Sequence, residues 1–225
     1  MKLRLHGGVG EKGRTCIGVE QGGCRILLDV GVNTSVARGP AYYPAIAPEL
    51  LAATDAIVVT HAHEDHVAAL GWCIAHGFEG RVLMTAETRA DVDATLSDYA
   101  TPDERELARG ARVEIIKPGE RFALDPFELT IGRSGHVVGG VWCHVAADGR
   151  SVGYCGDVVP KSPVFAMDSL PHCDLALVDG SYGDDHVDAA DRGEAVRCWV
   201  ADRPRGAVLP TPLSGRSLEL LATID

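Results

Sequence analysis

The apolar positions of this chain change their period along its length. Short alternating or continuous runs at 3–5, 15–19 and 25–30 predict strands, separated by glycine pairs at 7–8 and 22–23. Residues 56–60 (AIVVT) are almost wholly apolar, as expected of a strand covered on both faces, and 67–76 read as the helix that follows. A strand at 81–85 and helices at 87–99 and 102–109 come next. Strands are then predicted at 111–116, 127–133, 141–147, 151–155 and 175–179, a helix at 194–202, a strand at 206–210 and a last helix at 217–222. Many strands pair like hairpins, and they do not alternate strictly with helices. This predicts an α/β layered sandwich rather than a doubly wound parallel sheet.

Composition narrows the class. The 225 residues are 46% apolar and 24% charged, the profile of a soluble globular chain with a sizeable core. No run approaches the length of a membrane span, and the start has no signal-peptide core. Seven scattered cysteines without a CxxC pair predict reduced thiols and a cytoplasmic protein, leaving histidine as the metal-ligand type. The net charge of −11 opposes broad attraction to nucleic acid or anionic lipid, unless bound divalent metals supply positive charge locally.

The chemistry concentrates after the apolar run at 56–60, in THAHEDH (60–66). His61 and His63 alternate, so an extended segment turns both the same way. Asp65 and His66 point elsewhere as a helix begins, so one loop offers two ligand sets for zinc, manganese or iron. Glu64 reads as solvated. His136 lies among glycines in SGHVVGG (134–140), Asp157 follows a strand in YCGDVV (154–159), and Asp29 ends ILLDVG (26–31). Singly, these are a core histidine and two turn formers. Together, four strand ends bearing His or Asp imply one rim with ligands for two metals.

THAHEDH resembles the HxHxDH signature of the metallo-β-lactamase superfamily, whose fold is an αββα sandwich. The resemblance implies that His61, His63 and His136 hold a first metal, that Asp65 and His66 hold a second, and that Asp157 bridges both. It implies that Asp29 orients the loop by hydrogen bonding. Within the superfamily, GGVGEKGRT (7–15) is similar to the GGVGEIG opening of ribonuclease J. SGHVVGG with YCGD resembles the motifs of the cleavage and polyadenylation nuclease subunit. DGSYG (179–183) resembles the ESTYG segment of the β-CASP nucleases, with Asp179 for Glu and Gly180 for Ser. VLPTPLSGRSLELL (208–221) resembles the strand and GR-containing helix that follow.

This branch implies a metal-dependent hydrolase, a nuclease acting on RNA or single-stranded DNA. A metal-bridging hydroxide would attack phosphorus, with Asp65, Asp29 and Asp179 as the catalytic carboxylates and two divalent ions, zinc foremost, as cofactors. Ser181, Tyr182 and Arg216 are the candidate substrate contacts. Residues 1–195 are expected to form the metal-binding domain and 196–225 the start of a β-CASP-like segment. The family's final histidine ligand and cap histidine have no counterpart, since His144, His172 and His186 sit in no matching motif. The expectation is therefore a fragment, or a second site completed by water, another chain or an unusual ligand, with an exposed apolar face and a homo-oligomer or complementing chain. Two rival readings stand beside it. One is a small-substrate hydrolase of thioesters, lactones or lactams, and the other is an inactive partner subunit.

Overall fold

A computed structural model of the chain describes residues 1–181, 183–212 and 215–225. It builds two sheets. The first runs β1 (Lys2–Gly7), β2 (Cys16–Gln21), β3 (Cys24–Leu28), β4 (Ala56–Val58), β5 (Arg81–Met84) and β6 (Val113–Ile115), in that spatial order. The first three strands pair antiparallel and the last three join in parallel. The second sheet has the order β11 (Leu175–Leu177), β10 (Arg150–Tyr154), β9 (Val141–Ala147), β8 (Phe127–Arg133) and β7 (Arg121–Leu124). It is antiparallel except where β11 meets β10.

Side-chain alternation decides what packs where. Ile26 and Leu28 point between the sheets with Val58, Leu83, Leu129, Ile131 and Val145, all buried. Leu27 and Ile57, one residue out of step, point to the outer face. There they meet Leu51 of α1 (Pro48–Ala52), Val67 of α2 (Glu64–Val67), Leu70 and Cys73 of α3 (Leu70–Ala75) and Leu96 of α4 (Ala86–Tyr99). The first sheet is thus covered on both faces, which is why its central strands read as continuous apolar runs. α5 (Pro102–Arg109) closes the helical layer, fixed by a capping box between Thr101 and Glu104. Across the outer face of the second sheet runs the segment 167–174, where Trp142 donates to the Asp168 carbonyl at 2.9 Å.

Three sequence expectations are corrected. The helix expected over 67–76 begins at Glu64 and is two pieces, because the carbonyls of its first turn are taken by other segments. Asp65 O accepts from Thr15 N, His66 O from Val30 N, and Ala69 N turns to Val30 O. Gly31 permits this approach, since a Cβ there would lie 1.7 Å from Asp65 O. The strand expected at 206–210 does not form. It pairs with no strand among the described residues, and Val208 is 91% exposed. α1 and β7 were not foreseen, being five and four residues long, too short to show a period. α6 (Ala189–Ala201) starts earlier than expected, at the cap Asp188, and runs through residue 195. α7 (Arg216–Ile224) packs against it.

Candidate metal centre

One edge of the sandwich collects the ends of β3, β4 and β10 and the β8–β9 loop. After β4 the chain crosses between the sheets, with Thr60 O accepting from Val141 N at 3.0 Å. Gly156, at φ 55°, lets the end of β10 lie against Thr60, where a Cβ would meet Thr60 Oγ1 at 2.8 Å.

Asp29 organises this edge from behind. It is fully buried at φ 61°, a left-handed conformation that Asp tolerates better than most residues. Four donors hold it there: Oδ1 accepts from Thr60 N at 2.7 Å, and Oδ2 from Thr60 Oγ1 at 2.7 Å, His66 Nδ1 at 2.7 Å and Tyr154 OH at 2.6 Å. The consequence is a fixed set of protons. His66 carries its proton on Nδ1 when it donates to Asp29, so Nε2 faces the opposite way. Thr60 spends its hydroxyl proton on Asp29 and accepts from His61 Nδ1 at 3.0 Å, so His61 also turns Nε2 to the rim.

The inward atoms converge. His61 Nε2 lies 3.1 Å from His63 Nδ1, and His136 Nε2 lies 3.2 Å from the same atom. Asp157 Oδ2 stands 3.4 Å from His136 Nε2 and 3.9 Å from His61 Nε2. These four ligand atoms all lie within 4.8 Å of one another. Lone pairs of neutral imidazoles do not attract each other, yet the separations match the edge of a tetrahedron around zinc, about 3.3 Å for bonds of about 2.05 Å. The donor set therefore fits a divalent cation. The other oxygen, Asp157 Oδ1, is 3.1 Å from His66 Nε2, which lies 3.8 Å from Asp65 Oδ1. A second donor group thus adjoins the first, with Asp157 between them.

The electrostatics follow this division. Burial, helped by the charges of the neighbouring histidines, holds His61 well below the ordinary histidine range. Burial likewise brings His136 down to about 4. Burial opposes charge on His66 too, but the Asp29 carboxylate and the hydrogen bonds of Asp157 and Asp29 outweigh it, raising its pKa well above the usual value. Burial resists ionisation of Asp157, and the hydrogen bond and charge of His66 overcome it, lowering that carboxyl to about 2.

In front of the rim lies a cleft of about 710 Å³. Asp65, His66 and Asp157 form its floor, residues 8–13 one wall, and residues 176–181 the other. Asp179 and Ser181 are on that second wall, and Ser181 donates to Asp179 Oδ1 through both N (2.8 Å) and Oγ (2.5 Å). Tyr182 lies outside the described residues. Arg216 sits at the start of α7 and pairs with Glu219 at 3.1 Å. The preceding Gly215 packs on the histidine loop, since a Cβ there would lie 3.1 Å from His136 O. Glu64 is half-buried and outside the cluster of converging atoms.

The chain belongs to the beta-lactamase superfamily: the family model of the beta-lactamase superfamily domain matches residues 24–209. The fold agrees, for the Rm3 metallo-beta-lactamase is similar with a TM-score of 0.54 at 18% identity, over 76% of this chain and 73% of that one. Among curated proteins, the transcription termination factor FttA of Cenarchaeum symbiosum is 28% identical over 254 aligned residues, covering 100% of this chain and 39% of that protein. Ribonuclease TTHA0252 of Thermus thermophilus is 32% identical over 175 residues, covering 72% of this chain and 39% of that protein. The chain therefore spans about two fifths of the length of these relatives.

Sequence reading missed Thr60 and Tyr154, the two hydroxyls that bind Asp29. Both stand inside the motifs quoted above, next to the residues that drew attention. Tyr154→Phe removes a hydroxyl donor from a buried carboxylate. It is expected to lower stability by about 1.5–3 kcal/mol, seen as a lower urea midpoint at unchanged slope. An unchanged midpoint would show that Asp29 does not need this donor.

Proposed function

We propose that this chain is a two-metal hydrolase that cleaves phosphodiester bonds in RNA or single-stranded DNA. The observation that carries this reading is the placement of Asp157, with Oδ2 3.4 Å from His136 Nε2 and Oδ1 3.1 Å from His66 Nε2. In this reading His61, His63 and His136 hold one cation, Asp65 and His66 hold another, and Asp157 serves both. Zinc suits these nitrogen and oxygen donors, with manganese and iron as alternatives. When bound, the pair supplies a water of lowered pKa and positive charge against the phosphodiester in its transition state.

The chain's own residues do the rest. Asp65 orients the attacking water from the floor of the cleft. Asp29 acts one layer back, keeping the Nε2 atoms of His66 and, through Thr60, of His61 turned to the rim. Asp179 has one oxygen occupied by Ser181, which leaves the other to receive or give a proton at the substrate. Ser181, Tyr182 and Arg216 contact phosphate. The names of the relatives, a ribonuclease and a transcription termination factor, support nucleic acid as the substrate class.

The net charge of −11 favours the rival, a hydrolase of small substrates. Zinc-loaded chain should be offered an end-labelled single-stranded RNA and, separately, an acyl thioester. Shortening of the RNA that stops on adding a chelator is expected. Thioester hydrolysis without RNA cleavage would replace the reading with its rival, and inertness towards both would leave a non-catalytic subunit.

A further inference from the structure

We propose that the loop 8–13 is a phosphate-binding lip of the cleft and that Lys12 is its cation. The inference rests on the nucleic-acid reading above and names a contact within it. Two observations carry it.

The first is the state of the backbone. Gly8, Gly10 and Gly13 all have positive φ, at 80°, 71° and 100°. The loop is clamped at both ends, because a Cβ on Gly8 would meet Thr15 Cα at 2.9 Å and one on Gly13 would meet Asn33 Cα at 2.8 Å. Its middle is open, with nothing within 4 Å of a Cβ on Gly10. Among the described residues, no backbone N–H of residues 9–13 donates to a protein acceptor. A run of amides without protein acceptors, in a loop that lines the cleft, offers donors to an anion.

The second is the distribution of charge. Glu11, the acid of the loop, also lines the cleft, but its carboxylate is already engaged by Arg14 at 2.7 Å, by Asn33 at 3.5 Å and by the N–H of Gly8. Lys12 is exposed and lines the cleft, and among the described residues it has no ion-pair partner. It is the one Lys or Arg among the described lining residues, against the acids Glu11, Asp65, Asp157 and Asp179. A polyanion entering a chain of net charge −11 needs a local cation to hold the phosphates that flank the reacting one.

The test is binding rather than turnover. A fluorescein-labelled 2′-O-methyl RNA 12-mer is titrated with the zinc-loaded 225-residue chain by anisotropy at several salt concentrations. Lys12→Ala should bind about threefold to fivefold more weakly at low salt, the range of an exposed ion pair. Its slope of log affinity against log salt should be shallower by about 0.7, the value for one phosphate contact on a single strand. The loss should be equal for different base sequences, and Lys12→Arg should restore binding. The amide resonances of residues 9–13 should shift as the 12-mer is added. Parent binding with an unchanged constant and slope in Lys12→Ala would overturn the lip, as would a loss confined to some sequences or an absence of amide shifts. Failure of the parent chain itself to bind the 12-mer would overturn the nucleic-acid reading on which the lip depends.

Discussion

Zinc is expected to bind the His61→Ala/His63→Ala double variant on the order of 10⁴-fold more weakly than the parent chain. The estimate comes from dividing the free energy of a four-ligand zinc site among its ligands, roughly 3 kcal/mol each. Both side chains belong to the converging group, with His61 Nε2 and His63 Nδ1 3.1 Å apart. Neither contributes an aliphatic side chain to the core, so the fold should survive and the loss should be one of binding. Metal analysis of the purified variant is the check, with circular dichroism confirming the fold. Zinc content equal to that of the parent would remove these histidines from the ligand set.

Asp157→Ala is expected to strip cations from both donor groups, whereas Asp29→Asn should weaken them without removing either. The difference lies in where the carboxylates stand. Asp157 presents one oxygen to His136 and the other to His66, so its loss opens both shells. Asp29 reaches the rim only through the donors it orders, His66 and Thr60. Partners of that kind change metal affinity by about 10–100-fold. Asp29→Asn keeps the side-chain shape but places an NH₂ among donors, so it should also cost stability, as breaking a buried charged network does. Isothermal titration of the two variants with zinc separates the roles. Equal and small losses in both would contradict the assignment of Asp157 as the shared ligand.

That these residues share one edge is legible in the sequence, for a physical reason. A histidine or aspartate placed directly after an apolar strand lies at that strand's end, so His61, His63, Asp157 and Asp29 fall together on one edge of the layered sheets. The β8–β9 loop brings His136 to the same edge, and its glycines marked it as non-regular. What the sequence did not display was the hydrogen bonding behind the rim. Thr60 and Tyr154 are ordinary strand residues by composition, and only their distances of 2.7 and 2.6 Å to Asp29 Oδ2 reveal their part. The division of the helix after the motif was likewise hidden, since it depends on Thr15 and Val30 claiming the carbonyls of residues far away in sequence. The apolar run at 206–210 promised a strand, but a strand is defined by its partner, and the run pairs with none among the described residues.

The central claim is that this edge holds two cations at once. Crystals of the zinc-loaded chain, measured on either side of the zinc absorption edge, test it most directly. The account predicts two anomalous peaks about 3.5–4 Å apart. One should lie among His61, His63 and His136, the other beside Asp65 and His66, and both should touch Asp157. A single peak within the histidine group, or none at the rim, would contradict it.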